Sequence, residues 1–186
     1  MRATIPPPGT VAVRPYELED AAALYEAARE SIVEVHPWMA WCHANYSIEE
    51  SNAWLDLQVE AFARGTAFEF AIVSDGGRYL GGCGINQLDR ENRRANLGYW
   101  VRSTATRAGV ATRAAQLVRD WAFENTDLIR LEIVAAVENL ASCRVAQKAG
   151  AVREGTLRSR LLLHGVAHDA VVFSFVRPFA SSARPR

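Results

Sequence analysis

The sequence predicts an α+β domain: a mixed, mostly antiparallel sheet of about seven strands carrying about four helices. Segments of period-two alternation and segments with apolar residues every three or four positions follow one another in the order β-α-α-β-β-β-α-β-α-β-β. The turn-forming residues Asp75-Gly76-Gly77 and the pair His164-Gly165 each lie between two strand-like stretches, as in hairpins that join antiparallel neighbours. A chain of 186 residues, 49% hydrophobic with 5 Trp, 5 Tyr and 7 Phe, is long and apolar enough for one sizeable core.

Taken in order, Val11 to Arg14 forms a short strand. A helix then follows, its apolar Leu18, Ala21, Tyr25, Ala28 and Ile32 recurring at three and four residues. Ser47-Ile48-Glu49-Glu50 has the form of a capping box, and Trp54, Leu57 and Ala61 make one face of a helix that ends before Gly65. Phe68 to Ser74, Tyr79 to Leu88 and Ala95 to Val101 read as successive antiparallel strands. The period then changes, because Val110, Ala114, Leu117, Val118, Trp121 and Ala122 share a helix face. Leu131 to Val134 alternates as a strand, Asn139 caps a helix through Ala149, and Gly150 closes it. Strands over Val152 to Leu163 and Ala167 to Val176 complete the sheet. The expected organisation is a flexible segment over residues 1–10, a single domain over 11–178 and a flexible tail over 179–186.

Composition narrows the function classes. Lys+Arg and Asp+Glu both number 21, so no charge excess argues for nucleic acid or an anionic membrane. No apolar run reaches the length of a membrane span, and the first residues lack a secretory signal. Cys42, Cys83 and Cys143 stand far apart, which fits neither a disulfide framework nor a structural zinc site and suits a reducing compartment. His36, His43, His164 and His168 have no ligand spacing, so no metal site is expected. A cytoplasmic protein is the expectation.

Chemistry concentrates where Asn96-Leu97-Gly98-Tyr99-Trp100-Val101 passes through Thr106-Arg107-Ala108-Gly109 into Val110-Ala111-Thr112. Backbone N–H groups at a helix start have no partner within the helix and sit at its positive end, and small residues let an anion approach them. Locally, this junction can be either a packing turn or a phosphate cradle.

With two further segments it resembles the GNAT N-acetyltransferase superfamily, particularly its RimJ/RimL ribosomal-protein alanine acetyltransferase branch. These are Leu128 to Ile133, and Val137-Glu138-Asn139-Leu140-Ala141-Ser142 running to Lys148-Ala149-Gly150-Ala151; Val152 to Gly155 and His168-Asp169 match the final hairpin. The resemblance covers roughly Val11 to Pro178 and departs at three places. Thr106 stands where the family has Gln or Arg, Ala151 stands where it has Phe, and Asn96 replaces a frequent carboxylate.

The resemblance implies the GNAT acyl-CoA N-acyltransferase fold and transfer of an acetyl group from acetyl-CoA to a primary amine, by direct attack in a ternary complex. The acceptor would be a ribosomal-protein or other peptide N-terminus, or a small-molecule amine, and a homodimer is compatible. It further implies that the backbone of Trp100 and Val101 meets the pantetheine arm, while Arg107, Ala108, Gly109, Val110, Ala111 and Thr112 hold the pyrophosphate. Asn139 would reach the pantetheine or its bound water. Arg144 would meet the adenosine end or remain a solvated arginine, and Trp38 and Trp41 would line the acceptor pocket or pack in the core. Ser142 would hydrogen-bond the departing thiolate as the catalytic residue, or satisfy its own helix backbone. With Asn96 unable to take a proton, the amine is expected to lose its own through ordered water or to arrive neutral, with Glu69 and Glu138 as the side-chain candidates. The rival functions are transfer from a larger acyl-CoA such as succinyl-CoA, and a non-catalytic CoA-binding module.

Overall fold

The computed structural model describes residues 10–178, so apart from Thr10 the expected loose ends lie outside the described residues. Strand β1 spans Val11–Pro15. A 3-10 turn over Leu18–Asp20 leads into helix α1, Ala21–Glu30, then come the short α2, Ile32–Val35, and α3, Ile48–Arg64. Strands β2 (Phe68–Ser74), β3 (Tyr79–Asp89) and β4 (Arg94–Val101) follow, then α4 (Val110–Asn125), β5 (Arg130–Ala136), α5 (Leu140–Lys148), β6 (Val152–Leu163) and β7 (Val166–Val176). The strands form one sheet in the order β1-β2-β3-β4-β5-β7-β6. Every neighbouring pair is antiparallel except β4 and β5.

The predicted local signals act as written. Ser47 accepts the Glu50 N–H and Glu50 returns a bond to the Ser47 N–H, starting α3, and Gly65 ends it in the left-handed conformation. Alternation in β2 sends Phe70 and Ile72 to a core shared with Val110, Ala114, Val118 and Ala122 of α4, while Ala71 faces the layer made by Leu24 and Ala27 of α1 and Leu55 of α3. The sheet is therefore covered on both faces.

The single helix expected from Leu18 to Ile32 is corrected: it breaks at Ser31, between α1 and α2. The Ser31 hydroxyl donates back to the Ala27 carbonyl at 2.6 Å and accepts the Ser103 N–H at 3.0 Å, so a long-range partner competes with helix continuation.

One irregularity of the sheet makes room for function. β4 and β5 pair only at Arg94 with Arg130, Ala95 with Leu131 and Asn96 with Glu132. Beyond Asn96, β4 keeps its bonds to β3 alone, and beyond Glu132, β5 keeps its bonds to β7 alone. The two strands diverge, and backbone groups of Leu97 to Val101 and Ile133 to Ala136 are turned toward a gap in the sheet. No helix among the described residues is long and apolar enough to cross a membrane.

Candidate active site

Along the gap between β4 and β5 runs a cleft of about 680 Å³. Its walls include Tyr99, Trp100 and Val101 from β4 and Val134, Ala135 and Ala136 from β5, so a ligand lying in it would meet two unpaired strand edges. Such edges offer N–H and C=O groups to an extended, amide-bearing chain, as an added strand would use them. At one end the cleft is bounded by Thr106, Arg107, Gly109, Val110, Ala111 and Thr112. Gly109 is the N-cap of α4 with φ 78°, it supplies no side-chain cap, and a Cβ placed on it would meet nothing within 4 Å. The space beside it is free for an anion facing the first N–H groups of α4. Arg107, also at positive φ, Arg144 and Lys148 add positive charge to the same cleft.

The start of α5 forms the facing wall. Asn139 Oδ1 accepts the Ser142 N–H at 3.0 Å, so the asparagine is a cap, and both residues line the cleft. The Tyr99 hydroxyl donates to the Ser142 carbonyl at 2.9 Å and lies 3.2 Å from Ser142 Oγ. Tyr99 thus ties β4 to the first turn of α5 across the gap. Burial raises the Tyr99 phenol pKa well above its ordinary value, which keeps this hydroxyl protonated and donating. The final hairpin is pinned by Asp169, whose Oδ1 accepts the Ser159 N–H at 2.8 Å at a bulge in β6.

A second cavity, about 430 Å³, opens on the other side of β4 and shares Met39, Tyr99 and Trp100 with the cleft. Its lining comes from distant elements: Tyr16 after β1, Trp41 and Tyr46 between α2 and α3, Trp54 on α3, Glu69 on β2 and Asn86 on β3. Glycines in β3 hollow it out. A Cβ on Gly82 would lie 2.6 Å from the Tyr16 hydroxyl, and one on Gly84 would lie 1.8 Å from Glu69 Oε2. Asn86 Nδ2 donates to Glu69 Oε1 at 3.1 Å, and its own oxygen accepts from Asn96 at 3.0 Å. Asn96, in the place of the family's frequent carboxylate, therefore orients the amide that orients Glu69. Removal from water raises the Glu69 carboxyl above its ordinary pKa, partly offset by the Asn86 bond.

Of the residues singled out in the sequence, Trp100, Val101, Arg107, Gly109, Val110, Ala111, Thr112, Asn139, Ser142 and Arg144 line the cleft. Ala108 lies within the loop but outside that lining. Trp41 lines the chamber, whereas Trp38 lines the cleft. Glu138 is directed to the surface, 3.6 Å from His168 Nδ1, and stands in neither cavity. Sequence reasoning missed the chamber walls Tyr16, Tyr46 and Trp54 and the cross-gap role of Tyr99. Only Tyr99 carried a local signal, lying between Gly98 and Trp100 in the segment that leads to the loop.

The turn joining β4 to the Gly109 loop is held from α1. Arg102, buried, bonds Glu30 through its guanidinium and donates to Glu26 at 2.9 Å and to the Tyr79 carbonyl at 3.2 Å. Glu30 Oε1 accepts from the Thr104 N–H at 2.9 Å and the Thr104 hydroxyl at 2.7 Å. Despite burial, these partners hold the Glu30 carboxyl down at about 2.

Comparison with known proteins agrees with this geometry. Residues 10–152 match the acetyltransferase (GNAT) domain family. YdaF of Bacillus subtilis (strain 168), named as a ribosomal N-acetyltransferase, is 34% identical over 109 residues, a match spanning 59% of this chain and 59% of that protein. The N-acetyltransferase p20 of Bacillus licheniformis is 30% identical over 170 residues, spanning 89% of this chain and 92% of p20. The structure of Mycobacterium smegmatis RimJ in complex with CoA-disulfide superposes with a TM-score of 0.84 at 27% identity, covering 91% of this chain and 83% of that one. The splayed β4–β5 gap, the open Gly109 loop and these matches together place the chain in the GNAT acetyltransferase family, as an N-acetyltransferase whose acyl donor is acetyl-CoA.

Proposed function

We propose that the acceptor is the N-terminal amine of a polypeptide, of the ribosomal class for which YdaF is named, and that the chain works in the cytoplasm. The observation that carries this reading is the placement of Glu69 in an aromatic chamber that joins the cleft at Tyr99 and Trp100. An amine held in the chamber stands across β4 from the cleft, with a carboxylate available to it.

Acetyl-CoA supplies the thioester carbonyl and a thiolate leaving group. The unpaired edges of β4 and β5 hold its amide-bearing arm, and the Gly109 loop with Arg107 and the first N–H groups of α4 holds its pyrophosphate. Arg144 and Lys148 meet its more distal charge. Glu69 takes the proton that an ammonium must lose before its nitrogen can attack, a task for which a raised carboxyl pKa is suited. The nitrogen–carbon bond then forms and the carbon–sulfur bond breaks, its electron pair going to sulfur, while the nitrogen sheds its second proton and the thiolate is released as the protonated thiol. The Ser142 hydroxyl donates a hydrogen bond to sulfur that strengthens as the negative charge grows, with the serine fixed by Asn139 and Tyr99.

Incubation with acetyl-CoA and a panel of N-terminal peptides and small amines, read by mass spectrometry, tests the assignment. An acetyl group on the peptide α-amine is the expected product. Modification confined to lysine side chains or to small amines would overturn the peptide acceptor.

A further inference from the structure

The acceptor chamber has a one-sided charge. Two carboxylates, Glu50 and Glu69, line it, and among the described residues its lining contains no lysine or arginine. The remaining walls are mostly aromatic, held steeply to one another: Trp41 and Trp100 at 5.2 Å and 69°, Trp41 and Tyr46 at 5.5 Å and 65°, Tyr16 and Trp54 at 5.0 Å and 88°. Glu50 is fixed in place, since its Oε2 accepts the Ser47 N–H at 2.9 Å and its Oε1 lies 3.0 Å from His43 Nε2. Glu69 has Asn86 as its one side-chain donor among the described residues.

Resting on the reading of this chamber as the acceptor site, we propose that it selects acceptors by the charge beside the reacting amine: it admits a first residue with an apolar or cationic side chain and refuses one with a carboxylate. An ammonium entering the chamber meets aromatic rings and two anions, all of which attract it. A carboxylate entering with that ammonium meets the same two anions and the negative ring faces, finds no cationic side chain in the lining, and leaves water to do so. Among the described residues of the lining, only neutral donors such as the indoles and phenols are there to meet it, and no cation offsets that loss. His43 is hydrogen-bonded to Glu50 and stands outside the lining, so it leaves Glu69 uncovered. A volume of about 430 Å³ accommodates an amine with its whole first side chain, so this side chain is what the walls read.

The test compares peptides identical beyond the first residue and beginning with Asp, Asn, Leu or Lys, by kcat/KM at saturating acetyl-CoA. Asn and Asp have nearly the same shape, so their ratio isolates charge. The Asn peptide is expected to exceed the Asp peptide by about 10²-fold, the effect of a like charge a few ångströms away in a partly buried site, with Leu and Lys peptides well used. In Glu50→Gln the Asn-to-Asp ratio should shrink several-fold. Asn and Asp peptides used within about threefold of each other would overturn the proposal. If no peptide is acetylated, the peptide-acceptor reading fails on its own, and phenylalaninamide against phenylalanine poses the same question: turnover of the amide alone upholds charge selection, and equal turnover sinks it. Calorimetric titration of both pairs into the CoA-loaded protein gives the contrast without turnover, and equal or absent binding of the neutral and anionic partners also sinks it.

Discussion

The cleft and the chamber lie on either side of β4, yet they are made of different materials. The cleft is largely backbone: two strand edges that stop pairing after Asn96 and Glu132, and a loop whose Gly109 leaves open space beside the first N–H groups of α4. The chamber is side chain, with a phenol from the segment after β1, an indole from α3, a carboxylate from β2 and rings from the loop between α2 and α3. A backbone site tolerates substitution except where a side chain would fill it or a φ would be strained. A side-chain site can be altered at any wall. This division suits an enzyme with an invariant donor and an acceptor that sets its specificity.

The largest expected effect is on the chamber side. Glu69→Gln should keep acetyl-CoA affinity and lower kcat/KM by about 10²-fold or more, within the range of general-base assistance. The base works deprotonated and its pKa is raised, so the wild-type rate should fall as pH drops through that raised value, and Glu69→Gln should lose that limb. Gly84→Ala reaches the same group differently: its Cβ would stand 1.8 Å from Glu69 Oε2, so the carboxylate must leave its place and give up its Asn86 bond. Rates near wild type in folded Glu69→Gln would return the proton to ordered water, as the sequence alone suggested.

On the cleft side, Gly109→Val combines a β-branched residue at φ 78° with a side chain in the space left for the anion. CoA binding, followed by calorimetry, should weaken by more than tenfold, the loss of about two charge-assisted hydrogen bonds, while the acceptor KM at saturating donor changes little. Full CoA affinity in the folded variant would refute the cradle. Ser142→Ala keeps the backbone carbonyl that Tyr99 bonds, so α5 should stay in place. A fall in kcat of about tenfold with acetyl-CoA affinity within a few-fold is the signature of a bond made mainly in the transition state. An unchanged kcat with a chemistry-limited acceptor would leave Ser142 as a part of the helix start alone.

This difference in material also explains what could be read in the sequence. The Gly109 loop, the Asn139 cap and the Ser47–Glu50 capping box are contiguous in the chain, because a helix start is satisfied by residues within one turn of it. Strand periodicity placed β2 at its observed bounds and β3 and β4 to within a residue at their ends. Of the chamber, the sequence offered only Trp41, through the resemblance, and Glu69, as one of two candidate bases. Tyr16, Trp54 and Glu69 are brought together only by the pairing of β1 with β2 and the packing of α3 on the sheet, so each alone looks like an ordinary core aromatic or strand carboxylate. The break at Ser31 escaped for the same reason, its partner Ser103 being 72 residues away.

The smallest expected effect concerns the joint between the two regions. Glu30 on α1, whose Leu24 walls the chamber, holds Arg102 and Thr104 on the turn that leads into the Gly109 loop. Glu30 is held at about 2, against an ordinary value of 4.5, so its contribution is fully present above about pH 4.5 and is lost as pH falls toward 2. Glu30→Gln should therefore destabilise the protein by about 2 kcal/mol at neutral pH in chemical denaturation, and the gap to wild type should close between pH 4.5 and 2. Glu154 and Asp89 are also held at about 2, so the wild type retains an acid-sensitive limb from them in either case. Glu26→Gln is the control: its side chain is 73% exposed beside the same arginine, and its loss should cost under about 1 kcal/mol. If the turn couples the two sites, Glu30→Gln should also weaken CoA binding and raise the acceptor KM together by a few-fold. A change in stability that leaves both constants at wild-type values would show that cleft and chamber are set independently, each by its own material.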